Sequence, residues 1–148
     1  MATLLDLDVD SVARAGLIFL DGDSLEDILL DAYGHTDYNF DLFNNCKITI
    51  MKIERINPGL KLTAFLWQAR PDNPRMAVPV VAGNALPLTG YGAVEISPAL
   101  AAALDGTFGT TAQYPSGARS HYYPVRNSDG EIAGALELLA GNQTVVDI

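Results

Sequence analysis

Few residues of this sequence have the chemistry that catalysis needs. The chain contains two histidines, His35 and His121, and a single cysteine, Cys46. The histidines are not spaced as a pair of metal ligands, and the sequence has neither a nucleophile elbow nor a glycine-rich phosphate loop. Catalysis requires a nucleophile with a base, a metal site or carboxylates with separated pKa values. We therefore predict that the chain is not an enzyme and uses no cofactor.

Three aspartates near the start of the chain have a spacing that suggests calcium. Asp6, Asp8 and Asp10 alternate as the first ligands of a calcium-binding loop do. No glycine follows at the required position and no glutamate closes the loop, so we expect a helix here and no metal site. Cys46 lies in a helical pattern, which favours a buried side chain over a nucleophile.

A small-ligand pocket is better supported by the sequence than catalysis. Aromatic walls with a few convergent polar groups are typical of such pockets. An arginine could bind a carboxylate through two hydrogen bonds, and an aromatic face could hold an ammonium group by cation–π attraction. The predicted ligand contacts are Trp67, Arg70, Tyr91, Tyr114, His121 and Tyr123, with Tyr122 in the same set and Arg119 and Arg126 nearby in the sequence.

Each of these residues also has a purely structural interpretation. Trp67 suits a hydrophobic core, Arg126 a solvated strand end, and His121 a hydrogen-bonded position inside a sheet. Arg70 and Tyr91 are predicted in loops, where packing does not demand them. The two interpretations of each residue stay open at the level of sequence.

Composition and charge limit the classes of partner. The 148 residues are 49% hydrophobic and 18% charged, which predicts one folded domain over residues 1–148. The net charge of -9 is concentrated in residues 1–45, where Arg14 is the only basic residue. An acidic flank without a basic stripe excludes nucleic acid and an anionic membrane surface as expected partners. No apolar run approaches the ~20 residues of a membrane span.

The elements that must position these residues can be derived from periodicity and capping signals. Apolar residues at helical spacing predict three helices, and Asn57-Pro58-Gly59 ends this helical section, residues 1–57. We expect the second helix to start at a cap made by Asp23 with Glu26. The predicted helices cover residues 3–20, 24–34 and 38–56.

After Pro58 the period changes to two, which predicts strands over the section 60–140. Ser97-Pro98 is typical of a helix start and predicts a short helix from Ala99 to Leu104. Asp129-Gly130 predicts a tight hairpin turn between the last two strands. Pro79 inside the second strand predicts an edge position for that strand. The predicted strands cover residues 60–68, 77–82, 109–114, 120–126 and 132–139, with loops at 69–74 and 83–92.

This order of elements resembles a single Cache domain, the PAS-like extracytoplasmic sensor module of chemoreceptors, histidine kinases and cyclases. The local carriers of the resemblance are Leu20-Asp21-Gly22-Asp23, Ile56-Asn57-Pro58, Leu104-Asp105-Gly106 and the hairpin from Pro124 to Leu136. Two features of many Cache domains are missing: a long first helix and the membrane spans that flank the domain.

The resemblance implies a fold and a function. The implied fold is α+β, with a PAS-like five-stranded antiparallel sheet, N-terminal helices and one crossing helix. The implied function is the binding of a small polar metabolite, such as a carboxylate or amino acid, by the periplasmic part of an inner-membrane receptor. It also implies a homodimer through the N-terminal helices. The alternative is a cytoplasmic PAS- or GAF-like regulatory or protein-interaction module.

Overall fold

Helices lie on both faces of one antiparallel sheet in the computed structural model, which describes residues 3–27, 40–70, 73–83 and 94–140. The helices are α1 (Leu4–Leu17), α2 (described over residues 22–27), α3 (Phe40–Glu54) and α4 (Pro98–Leu104), with a 3₁₀ turn at Pro58–Leu60. The strands are β1 (Thr63–Arg70), β2 (Asn73–Ala82), β3 (Val94–Glu95), β4 (Thr110–Gln113), β5 (Arg119–Arg126) and β6 (Ile132–Ala140).

The sheet has the strand order β3-β2-β1-β6-β5-β4, and every neighbouring pair is antiparallel. Its five longer strands form the PAS-like sheet that the sequence predicts, and the α+β class is confirmed. The sixth strand, β3, was not predicted. It has two residues, which is too short for a periodic signal.

Successive side chains of the central strands face opposite layers of the fold. Leu66 of β1 lies opposite Leu136 of β6, which lies opposite Tyr123 of β5, and all three are buried in the core under α1 and α3. The other face of the sheet, which α4 crosses, carries a corresponding row of Phe65, Glu137 and Tyr122. Each of these residues is next to a core-facing residue on its own strand.

The two faces are packed differently. The face under the N-terminal helices holds the larger core, in which Val9 of α1 and Ile50 of α3 are fully buried against the sheet. The α4 face holds a smaller cluster around Leu100, Ala103 and Tyr122. The sheet therefore has one densely filled layer and one thin layer.

The α2 segment contacts the β5–β6 turn. A Cβ added at Gly22 would overlap the backbone of Arg126, so only glycine allows this approach. The backbone N–H of Ser128 donates to Asp23 at 3.0 Å, and Asn127 Nδ2 donates to Glu26 at 2.7 Å. The Leu20–Asp23 segment and the hairpin, both carriers of the sequence resemblance, thus lie against each other.

Two predictions about local structure were wrong. Asp21, and not Asp23, caps α2, because its carboxylate accepts from the N–H groups of Asp23 and Ser24 at 3.0 and 3.4 Å. The predicted loop 69–74 is mostly strand, since β1 continues to Arg70 and β2 begins at Asn73. Pro79 does lie at an edge, as predicted, because β3 covers only Met76 and Ala77 and the described part of β2 around Pro79 pairs with β1 alone. Pro79 also lies beside a register shift between β1 and β2.

We predict that Gly134→Ala destabilises the fold. An added Cβ at this position of β6 would overlap the backbone carbonyl oxygen of Trp67 and lie 2.9 Å from Leu25 Cδ2. Overpacking of this kind lowers the free energy of unfolding by about 1–3 kcal/mol, measurable by urea denaturation. Gly59→Ala is the matched control, because its nearest neighbour would lie at an ordinary 3.5 Å. Equal stabilities of the two variants would contradict the predicted packing.

Candidate ligand-binding cavity

A cavity of about 360 Å³ lies between the sheet and the start of α4. Its volume is near the lower end of the range of about 300–1,000 Å³ that small-molecule sites occupy. Phe65, Trp67, Tyr114 and Tyr122 supply its aromatic walls. The remaining apolar lining comes from Pro79, Leu100, Ala118 and Leu139.

Glu137 of β6 is the polar centre of the cavity. The residue is 6% exposed, and its two carboxylate oxygens accept hydrogen bonds from neighbouring strands. Trp67 Nε1 donates to Oε1 at 2.7 Å, and Ser120 Oγ donates to Oε2 at 2.5 Å. Burial raises the pKa of Glu137 because it disfavours the charged form, and these two hydrogen bonds oppose the increase only partly.

Tyr122 adds a buried phenol beside this carboxylate. Its pKa is raised above the ordinary value, first by burial and then by the charge of Glu137 and a hydrogen bond with Tyr114. The phenol therefore stays protonated and can donate or accept a hydrogen bond. Glu95 and Ser97 complete the polar lining of the cavity.

The opposite face of β5 is attached to α1 through Asp6. Arg119 binds both carboxylate oxygens, with Nε 2.8 Å from Oδ1 and Nη2 3.1 Å from Oδ2. His121 Nε2 lies 2.7 Å from Oδ1, and the other ring nitrogen faces the carbonyl oxygen of Leu138 at 3.3 Å. The hydrogen bond from Arg119 is the largest cause that holds the pKa of Asp6 well below its usual value.

A second contact one helical turn further along α1 reinforces this attachment. The hydroxyl of Tyr123 donates to Asp10 Oδ1 at 2.8 Å. The Tyr123 ring packs on Phe108 with ring centroids 4.7 Å apart, and the guanidinium of Arg14 lies 4.6 Å above the Phe108 ring. Strand β5 therefore contacts α1 through Arg119, His121 and Tyr123, and it contacts the cavity through Ser120 and Tyr122.

The structure brings together only part of the predicted ligand contacts. Trp67 and Tyr114 line the cavity together with Tyr122. His121 and Tyr123 do not line it, because strand alternation turns them towards α1.

The arginines and Tyr91 have other positions or lie outside the description. Arg119 binds Asp6, and Arg126 donates to the carbonyl oxygen of Gly130 in the hairpin turn at 2.7 Å. Arg70 is the last residue of β1, and its side chain lies outside the described part of the structure. Tyr91 lies outside the described residues altogether.

The sequence prediction missed Glu137 and Ser120, which form the polar floor of the cavity. A signal for Glu137 exists, since it is the only charged residue in the apolar run Ile132-Ala-Gly-Ala-Leu-Glu-Leu-Leu. A carboxylate in a strand that is buried on both faces requires specific partners. Ser120 has no comparable signal in the sequence.

The chain matches no protein-family model, and its sequence matches no curated protein. Over the described ranges, none of the helices has the length and apolar character needed to cross a bilayer. Within the same ranges, no cluster of three or more histidine, cysteine or acidic side chains is arranged to hold a metal ion.

We predict that Asp6→Asn weakens the attachment of α1 to the sheet. The substitution leaves Arg119 and His121 without their anion, and removing one partner of a buried ion pair costs about 3 kcal/mol or more. In the wild-type chain, the depressed pKa of Asp6 provides stability that is present above its unfolded value of 3.8 and is lost as the pH falls below it. Urea denaturation over an acid pH series should show this loss in the wild type and a smaller one in the variant.

The matched control for Asp6→Asn is Asp8→Asn, on the exposed side of the same helix. Its free energy of unfolding should stay within about 0.5 kcal/mol of the wild type. A similar loss in both variants would show that α1 needs acidic residues in general and not the contact with Arg119.

Glu137 should give the wild type a pH dependence of stability opposite to that of Asp6, and Glu137→Gln should remove it. Because the folded pKa of Glu137 is raised above 4.5, wild-type stability should decrease as the pH rises from 4.5 through the folded pKa. The amide oxygen can accept from Trp67 and the amide NH2 can donate to Ser120 Oγ, so the variant can make two hydrogen bonds without the charge and should be the more stable protein above that range. Denaturation at about pH 5 and about pH 8 measures the difference, at about 1.4 kcal/mol for each unit of pKa change. Exposed Glu131→Gln is the control, and a variant less stable than the wild type at the higher pH would refute this expectation.

Proposed function

We propose that this chain is the ligand-sensing domain of a transmembrane signalling receptor of the chemoreceptor, histidine kinase or cyclase type, on the extracytoplasmic side of the membrane. The observation that carries the proposal is the aromatic cavity on the thin face of a PAS-like sheet. The resemblance of the sequence to single Cache domains supports the same function.

The contacts of β5 support a route from the ligand to the N-terminal helices. Ser120 and Tyr122 face the cavity, and the alternating residues Arg119, His121 and Tyr123 contact α1. A ligand that binds one packing of α1 on the sheet more tightly than another shifts the population towards that packing. A ligand with equal affinity for both packings would transmit no signal.

The surface of α1 supports association of two copies. Leu4, Leu7 and Ile18 are 80%, 54% and 79% exposed, and their spacing places them on one side of the helix. Phe19 extends this apolar surface and is 74% exposed. The homodimer through N-terminal helices remains a prediction. Analytical ultracentrifugation over a concentration series tests it, and Leu7→Glu should weaken the association of the wild-type chain.

We predict that small ligands which stabilise the wild-type domain lose their effect in Leu139→Trp. Leu139 lines the cavity and is half-buried, so an indole at this position can occupy the ligand volume without entering the main core. The measurement is a thermal-shift screen of amino acids, amines and organic acids. Lys52→Trp, an exposed position on α3, is the matched control and should retain every shift. Ligands that stabilise Leu139→Trp as strongly as the wild type would place the binding site elsewhere.

Hydrogen exchange tests whether a bound ligand reaches α1. A stabilising ligand should change amide protection in α1 as well as in β5 and β6, and Asp6→Asn should reduce the change in α1 only. Protection confined to the cavity strands would contradict the signalling route.

Replacing the sensor domain of a histidine kinase with this chain should then give ligand-dependent phosphorylation, and a constant output would contradict the receptor function.

A further inference from the structure

The charges around the cavity all have the same sign. Its described lining contains two carboxylates, Glu137 on the floor and the more exposed Glu95, and no lysine, arginine or histidine. A ligand carboxylate would therefore meet repulsion here, and no guanidinium of the described lining could bind it.

Glu137 retains acceptor capacity after its two hydrogen bonds. Each carboxylate oxygen has two lone pairs, and Trp67 and Ser120 each occupy one of them. Both donors are neutral, so the ionised form of Glu137 has hydrogen-bond donors but no countercharge. A cationic donor from the ligand would provide the missing opposite charge.

Aromatic rings flank the carboxylate on both neighbouring strands. Phe65 of β1 and Tyr122 of β5 lie directly opposite Glu137 in the sheet register, and all three residues line the cavity. The Trp67 indole donates to the same carboxylate from the next cavity-facing position of β1. Rings around an anion suit an organic cation, since the carboxylate and the ring faces both attract positive charge.

We propose that the ligand of this cavity is an organic amine, bound as the ammonium ion with its N–H groups donating to Glu137. This inference rests on the proposed sensing function and specifies the ligand class for the same site. It differs from the carboxylate metabolite considered from the sequence, because Arg119 binds Asp6 and Arg126 binds the hairpin turn instead of lining the cavity.

The affinity for an ammonium ligand should depend on pH through Glu137. The raised pKa of this carboxyl means that protonation competes with the cation, so binding should weaken as the pH falls through the folded pKa of Glu137. The other titratable groups that face Glu137 are Tyr122 on β5, Tyr114 after β4 and Glu95 on β3. Comparing the pH dependence of affinity in Glu137→Gln and Glu95→Gln shows which of the two carboxylates causes it.

The decisive experiment compares head groups on a constant tail. The probes are phenethylamine, 2-phenylethanol and 3-phenylpropionate, with butylamine, 1-butanol and pentanoate as a second series. Binding to the full chain is measured by calorimetry and by NMR shifts of the cavity residues. We expect the amines to bind at least tenfold more tightly than their partners, and Glu137→Gln to weaken amine binding about tenfold to a hundredfold. Glu95→Gln should change it less than about threefold, since its carboxylate is more exposed.

The outcomes distinguish this inference from the sensing function. If the alcohols or carboxylates bind as tightly as the amines, and Leu139→Trp blocks them, the sensor proposal survives and the amine class is wrong. Amine binding that is equal in Glu137→Gln and the wild type, or that does not weaken in the wild type at acid pH, also overturns the inference. If no probe binds in the cavity, both proposals fail.

Discussion

The carboxylate of Asp6, bound by Arg119 and His121, fixes the position of the first helix on the sheet. A buried ion pair of this kind contributes little net stability, because desolvation offsets most of the attraction. What it provides is geometric selectivity, since any other rotation or translation of α1 would leave a buried charge without its partner. The apolar residues of α1, such as Val9 and Ala13, could tolerate several packings. The polar contact selects one of them.

Two of the buried carboxylates, Asp6 and Glu137, have opposite electrostatic environments. Asp6 has a guanidinium at 2.8 Å, so its charge is satisfied within the protein and its pKa is depressed. Glu137 has only neutral donors, and its pKa is raised. Residues with a pKa perturbed by burial in a cleft are candidates for functional sites. This difference makes Asp6 a structural contact and Glu137 the centre of the candidate binding site.

Periodicity and capping determine most of the architecture at the level of sequence. The alternation in Leu62–Trp67 predicts a strand, which the structure shows with Leu62, Ala64 and Leu66 in the main core, and Ser97 caps α4 as predicted. The same rule also limits the site prediction, because neighbours on one strand cannot share a face. A ligand set containing both Tyr122 and Tyr123 was therefore inconsistent with a single cavity. The cavity floor could not be predicted, because the side-chain hydrogen bond between Ser120 and Glu137 depends on the register of β5 and β6. The period of the sequence alone does not determine that register.

The cavity itself follows from the composition of the crossing helix. The main core is filled by branched and aromatic side chains from α1, α3 and the sheet. Helix α4 has the sequence Pro-Ala-Leu-Ala-Ala-Ala-Leu, and Leu100 is its only large side chain that lines the cavity. Alanines are too short to fill the space above the aromatic row of the sheet. An apolar gap could close by a small shift of α4, but a shift that closed it over Glu137 would bury the carboxylate further without adding a countercharge. Closure of the gap would therefore make ionisation of Glu137 still less favourable, and the cavity follows from the short side chains of α4.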